Sequence, residues 1–194
     1  MAECLTNTAD LTAVADAIRA KGGISGPLVY PDGFVTAIQA IETGGGGGSD
    51  ELVNSLIDRT ISGTYVNNTV TIIGRYGLAG CTKLTNVVLP AVRMMDGNSM
   101  IGCSAVIKAD FSNLQTIRYS TFYSNKKLVT LIIRTQVVAK LDNTSAFKDT
   151  PIVSGTGYVY VPSALVDSYK TATNWSTYAD QIRAIEDYPD ITGG

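Results

Sequence analysis

Histidine does not occur in this 194-residue chain, and its absence removes a large part of enzyme chemistry at once. Without imidazole there is no Ser-His or Cys-His nucleophile pair, no His-ligated zinc and no imidazole general base. The three cysteines, Cys4, Cys81 and Cys103, show no C-x-x-C spacing. A secreted disulfide framework would use a denser, usually even set. Gly44 to Gly48 is a glycine run without the Lys-Ser/Thr of a phosphate loop, so it reads as a linker. Acids are few in the centre of the chain, where Asp96, Asp110 and Asp142 are the carboxylates of residues 75–148. A polysaccharide depolymerase would need two of them paired across a cleft. Asp180, Glu186 and Asp187 read as a solvated tail, and no nucleic-acid-binding motif is present.

The centre holds cations instead. Residues 75–148 carry ten Lys or Arg against three Asp, whereas residues 1–74 carry three against eight and residues 149–194 two against six. The formal charge of −2 therefore hides a basic middle between acidic ends. Such a middle suits an anionic surface such as teichoic acid or acidic polysaccharide. The alternative is that loops between buried positions simply carry solvated charges. Tyr65, Tyr76, Tyr119, Tyr123, Tyr158 and Tyr160 offer sugar-stacking faces or pack along the chain's own elements.

What positions these residues is a repeat. Apolar residues recur at a spacing of 22: Leu78, Met100 and Phe122; Leu84, Val106 and Leu128; Val87, Ala109 and Leu131; Leu89, Phe111 and Ile133. Ile73, Met95 and Ile117 extend the register backwards, and after Asn143 the pattern resumes at Phe147, shifted by three. A unit this short cannot hold a helical hairpin and fits one turn of a leucine-rich solenoid. Val87-Val88-Leu89, Ala109-Asp110-Phe111 and Leu131-Ile132-Ile133 read as short strands with their outer two residues pointing inward. Stacked parallel about 4.8 Å apart, these strands present outward rows. Asn86, Lys108 and Thr130 form one, Val88, Asp110 and Ile132 the next, and Pro90, Ser112 and Arg134 a third. Val88 and Ile132 either meet a partner or are covered by a neighbouring chain. Arg118 and Lys140 fall at one repeat position in adjacent coils, and Lys83 and Lys127 share another. Cys81 and Cys103 are also equivalent, either as a disulfide pair or, the favoured reading, as two small buried thiols.

The expected fold is thus a strand-rich α/β repeat solenoid of short parallel strands, with helical N- and C-terminal caps and a small α-helical N-terminal module. The boundaries fall at residues 1–43 for that module, 44–49 for the linker, 50–74 for the N-terminal cap, 75–157 for the repeats and 158–194 for the C-terminal strand-helix cap and tail. In the N-terminal cap, Ser49 precedes a helix from Asp50 carrying Leu52 and Leu56, and residues 60–73 read as a hairpin turning at Asn67-Asn68. At the other end, Pro162 stops a strand and Ser163 caps a helix bearing Leu165, Val166 and Tyr169, with Trp175, Tyr178 and Ile182 completing the cap. In residues 1–43, Leu11, Val14 and Ile18 line one short helix and Phe34, Ile38 and Ile41 another. Two such helices cannot stand alone and must dock on something.

The repeat columns, with the LTNVVLP run at 84–90, resemble BspA-type leucine-rich repeats, and Tyr158 to Ile185 looks like the strand-helix terminus that closes such arrays. DLTAVADAIRAKGG followed by YPDGFVTAIQAI is similar to an N-terminal module of tail and fibre proteins in phages of Gram-positive gut bacteria. The array is short, Ala109 and Asp110 stand at apolar strand positions, and Leu78 and Met100 replace Phe at the repeat start.

The resemblance implies a bacteriophage virion structural protein of the tail-fibre or receptor-binding class, with no enzyme activity and no cofactor or metal. Residues 1–43 would join it to other virion proteins or to sister subunits in a homo-oligomer. The strand face and basic positions Asn86, Val88, Lys108, Asp110, Thr130, Ile132, Arg134, Arg118 and Lys140 would meet a host or partner ligand, an anionic cell-wall glycan among the candidates. A head fibre or capsid decoration protein fits nearly as well. A bacterial surface adhesin would share the repeats but carry an export signal, and MAECLTNTAD shows no basic segment followed by an apolar core. No stretch reaches membrane-spanning length. The expected site is the virion, after synthesis in the host cytoplasm.

Overall fold

Strands of two to six residues cannot satisfy their own backbone groups, so each must find its hydrogen bonds in the next coil. The computed structural model describes residues 59–193, and within them every strand pairs in parallel with its equivalent one turn away. The expected helix from Asp50, the glycine linker and the two helices of residues 1–43, with Leu11, Val14, Ile18, Phe34, Ile38 and Ile41, lie outside the described residues.

The strands in chain order are β1 (Ser62–Val66), β2 (Ile72–Ile73), β3 (Lys83–Val88), β4 (Met94–Met95), β5 (Lys108–Phe111), β6 (Thr116–Ile117), β7 (Thr130–Ile133), β8 (Lys140–Leu141), β9 (Tyr158–Val161) and β10 (Ile182–Ala184). Odd-numbered strands build one sheet in the order β1-β3-β5-β7-β9, with β10 added beyond β9, and the remaining even-numbered strands build a second in the order β2-β4-β6-β8. Asn86 lies beside Lys108, and Lys108 beside Thr130. On a third side there is no strand, but the amides of Leu78, Met100 and Phe122 donate to the carbonyls of Ser99, Thr121 and Ala146 in the following coil. Each coil is thus tied to the next on three sides.

Between the sides the chain must turn sharply, and the turns recur too. Tyr76, Asn98 and Ser120 have φ of 61°, 59° and 51°, a left-handed conformation that L-residues adopt at a cost. Gly80 and Gly102, both at φ 72°, fill a second such corner where no side chain is needed.

Residues 60–73 do not form a hairpin. β1 pairs with β3 and β2 with β4, so the two strands belong to different sheets. The Asn67 side-chain oxygen accepts from the amides of Thr69 and Val70 and carries the chain around a corner of the coil rather than back along β1.

The interior is largely apolar, with Ser99, Thr121, Asn125 and Thr150 buried among the apolar side chains. Leu84, Val87, Leu89, Val106, Ala109, Phe111, Leu128, Leu131 and Ile133 are all fully buried, and each such side chain contributes roughly 1.5–3 kcal/mol where it is Val, Leu, Ile or Phe. Phe122 and Phe147 stack with ring centres 5.6 Å apart and planes 4° from parallel. Cys81 and Cys103 are buried free thiols, and Cys103 donates to the Leu78 carbonyl at 2.9 Å. Hydrogen bonding to Cys81, then burial, holds the Cys103 thiol above its ordinary pKa.

The last strand of the second sheet, β8, has no strand beyond it, and side chains from the C-terminal elements satisfy its edge. After β9 come a short 3-10 turn, helix α1 (Val166–Thr171) and a longer 3-10 segment, Trp175–Gln181. Trp175 Nε1 donates to the Ala139 carbonyl at 2.6 Å, Asn174 to the Leu141 carbonyl at 2.7 Å, and the Ala139 amide donates to the Tyr169 hydroxyl at 2.9 Å. Trp175 and Tyr178 close on Phe147, the latter edge-on at 5.2 Å. Burial pushes the Tyr169 hydroxyl up to about 12. Tyr169→Phe leaves the buried Ala139 amide without an acceptor and is expected to cost about 1–3 kcal/mol. Urea unfolding would show this as a lower midpoint at unchanged slope, and an unchanged midpoint would contradict the assignment.

Candidate binding surface

The strand face expected to meet a ligand is largely occupied from within the chain. In the row Val66, Val88, Asp110, Ile132 and Tyr160, relative exposure is 52% at Val66, 8% at Asp110 and 0% at Ile132. The cover is the C-terminal segment beyond β10: a 3-10 turn, Ile185–Asp187, followed by the four-residue helix α2 (Pro189–Thr192). Lys108 Nζ donates to the Ile191 carbonyl at 2.8 Å, and Arg134 donates to the Thr192 carbonyl. Arg134 also makes a two-pronged ion pair with Asp110, Nε to Oδ1 at 3.0 Å and the terminal nitrogen to Oδ2 at 2.9 Å, which raises the Arg134 pKa. The choice left open for Ile132, partner or neighbouring chain, is resolved by neither; the chain's own terminus is packed on this part of the face.

Of the positions on this face, Asp110, Thr130 and Ile132 are therefore buried, and Lys108 and Arg134 are engaged. Asn86 and Val88 stay half-buried, with Asn86 Nδ2 3.3 Å from Thr64 Oγ1.

The second sheet corrects another expectation. Arg118 and Lys140 do not share a row, because β8 pairs with Thr116 beside Lys140 and Ile117 beside Leu141. Residues 134–139 hold two more residues than the preceding coil, so Asp142 is drawn level with Arg118. Arg118 lies 3.3 Å from Asp96 and 3.8 Å from Asp142, and Lys140 2.7 Å from Asp142. All four cations expected to bind an anion, Lys108, Arg118, Arg134 and Lys140, are partnered inside the molecule.

Among the described residues, a more exposed cluster stands at the corner that follows the second sheet. Arg75, Gly97 and Tyr119 occupy equivalent positions in three successive coils. The Tyr119 ring lies directly over Gly97, where an added Cβ would be 2.5 Å from the ring carbon Cζ. The Arg75 guanidinium sits 5.6 Å from the Tyr119 ring centre and 5.8 Å from that of Tyr76, and it hydrogen-bonds the Tyr119 hydroxyl. Asn98 reaches the Tyr76 hydroxyl at 3.5 Å. Tyr76 is 49% and Tyr119 38% exposed, with neighbours holding both rings in place. Spacing alone does not single these residues out as a site, since most of the tyrosines read as packing along the coils. The signal available was the glycine: a residue without side chain between Arg and Tyr in one column makes room for the ring. Among the other tyrosines, Tyr65 and Tyr160 are buried, Arg183 covers Tyr158 at 4.6 Å and Lys148 covers Tyr123 at 5.5 Å.

A groove of about 530 Å³ runs between Val138–Asp142 and Ala172–Trp175, but Asn174 and Trp175 are already spent there on the edge of β8. Among the described residues, no group of three or more Cys, Asp or Glu side chains is placed to hold a metal ion.

Residues 58–162, just over half of the chain, match the BspA type Leucine rich repeat region in 6 copies. The chain belongs to the BspA-type leucine-rich repeat family. No curated protein matches it. Membership points to a protein-binding or surface-interaction role, and the BspA-type array accounts for the parallel ladders and the apolar columns described above.

Gly97→Ala is expected to push the Tyr119 ring off its seat while leaving the backbone in place. The Arg75 side-chain protons would then lose the Tyr119 part of their ring-current shift in NMR spectra, keeping that of Tyr76, with little change in melting temperature. Retained shifts would show that the ring does not depend on Gly97.

Proposed function

We propose that this chain is a non-catalytic bacteriophage virion protein of the tail-fibre or receptor-binding class. Its repeat solenoid presents the Arg75, Tyr76 and Tyr119 corner to a glycan on the host surface, and residues 1–43 attach it to the particle and to sister subunits. The observation that carries the binding role is that corner: two exposed rings and a guanidinium, pre-set by Gly97 and by hydrogen bonds to the coils. A sugar offers an apolar ring face bordered by hydroxyls, and a fixed tyrosine with a neighbouring guanidinium matches both at little entropic cost. Tyr and Arg are also the residue types that dominate binding energy at protein surfaces.

The non-catalytic reading is supported by the carboxylates of the solenoid. Asp96 and Asp142 face Arg118, and Asp110 is clamped by Arg134, so none is paired with another acid across an open cleft. The virion assignment rests on the likeness of the N-terminal residues to a tail- and fibre-protein module. The repeats would serve as a rigid, one-dimensional scaffold holding the corner away from the particle.

Arg75→Ala and Tyr119→Ala are each expected to weaken binding of the purified chain to host cell walls about tenfold, in line with a 1–2 kcal/mol contact. Sugar-free walls that bind as well would overturn the glycan reading. Because the expected contact is stacking rather than ion pairing, raising salt should change affinity little. Particles assembled with a chain lacking residues 1–43 should not contain it, and normal incorporation would refute the attachment role. Immunogold labelling at the head rather than the tail would move the assignment to a head fibre or decoration protein.

A further inference from the structure

The C-terminal segment covers the face of the first sheet without being built into it. From Glu186 to Ile191 every residue is exposed, and Thr192 is the one buried side chain of α2. No strand ladder holds the segment. Its links to the rest of the chain are the side chains of Lys108 and Arg134, which donate to the carbonyls of Ile191 and Thr192, the Ser163 amide, which donates to Glu186 Oε2 at 2.9 Å just past β9, and Tyr188, edge-on to Tyr160 at 5.4 Å. Thr192 and Tyr188 otherwise bond within the segment itself, through Thr192 Oγ1 to the carbonyls of Tyr188 and Ile185. Beneath lies a finished surface. Ile132 and Tyr160 are buried and apolar, Thr130 is buried beside them, and Asp110 and Arg134 neutralise each other.

The chemistry of the contact is specific. The last carbonyls of a helix have no partner within it and carry the negative end of its dipole. Lys108 and Arg134 supply two cationic donors to those carbonyls, where Gly193 at φ 70° ends the helix. A few side-chain bonds with little burial are the features of segments at the low end of local stability.

We propose that the outer face of β5, β7 and β9 is a peptide-binding site, and that residues 185–193 are its resident ligand, a displaceable strap. The ligand class is a short peptide with an aromatic residue followed by a helical turn that ends in glycine, as in Tyr188-Pro189-Asp190-Ile191-Thr192-Gly193. This surface is separate from the Arg75 corner and does not depend on the glycan reading.

The test uses a chain ending at Ala184 and a labelled synthetic peptide of residues 185–194. The shortened chain should stay folded and bind the peptide saturably. The intact chain should bind it about tenfold more weakly or less, because its own segment competes at an effective concentration in the millimolar range. Arg134→Ala in the shortened chain should weaken binding by about tenfold, the effect of one charge-assisted hydrogen bond. Absence of binding by a folded shortened chain would overturn the proposal, and so would a shortened chain that unfolds, since a strap must be dispensable. Hydrogen exchange on the intact chain gives an independent reading. The amides of Tyr188 and of residues 190–193 should exchange much faster than those of β7, and equal protection would make the segment part of the core and sink the idea.

Discussion

A backbone that turns once every coil can satisfy its amides and carbonyls only in the coils above and below, and the rest of this structure follows from that constraint. Parallel pairing on two sheets and direct amide-to-carbonyl bonds on the third side place each residue beside its equivalent one turn away. An inward position is then apolar in most coils, because it meets the same column throughout, although Asn125 follows Cys81 and Cys103 in one buried column and Ser99 and Thr121 share another. The same constraint leaves each end of the stack with unpaired groups. At the C-terminal end the groups at Ala139 and Leu141 are met by Tyr169, Asn174 and Trp175, three side chains doing the work of a further strand. An aromatic seal is suited to this because it buries a large apolar area and still offers a polar atom at its rim.

Much of the interior was legible from residue types, since Leu84, Val106 and Leu128, or Val87, Ala109 and Leu131, need only be apolar to be recognised as columns, and all are buried. What a column cannot reveal is direction. Residues 60–73 alternate and turn like a hairpin because a coil with two strands and a corner has the same local signature. Only the partner strands, β3 and β4, distinguish the two, and they lie further along the chain. Asp110 is a similar case. At a position where an apolar residue is expected it looks like a fault in the repeat, yet its partner Arg134 lies 24 residues away, just past the end of the neighbouring strand β7. The contact belongs to the fold, and no local pattern contains it.

The outward positions were less legible than the core, for a physical reason. Exposure of an outward residue depends on what else folds over it, and the segment that covers Ile132 comes from the far end of the chain. Row arithmetic correctly sets Asn86 beside Lys108 and Thr130, but it cannot show that the end of α2 will sit on Lys108. The Arg75 corner is the converse case. Its residues are ordinary one by one, and only the missing side chain of Gly97, seen between its neighbours in adjacent coils, turns them into a fixed platform.

The charges show how a small change in coil length can decide a surface. With the spacing of the earlier coils, Arg118 would stand beside Lys140, two cations one coil apart, a repulsion on the order of 1 kcal/mol at exposed positions. The two additional residues in 134–139 shift the next strand so that Asp142 meets Arg118 instead, and Lys140 folds onto the same carboxylate. A row of like charge becomes a ladder of alternating sign, Asp96, Arg118, Asp142, with Lys140 at its edge. Each exposed pair adds little to stability. Their larger effect is on the field, because cations spent on neighbouring carboxylates no longer add to one positive surface. Three of the ten Lys and Arg of residues 75–148, Arg118, Arg134 and Lys140, are spent in this way, and the other seven face no acid among the described residues, so the pairing trims the basic character of the coils without cancelling it.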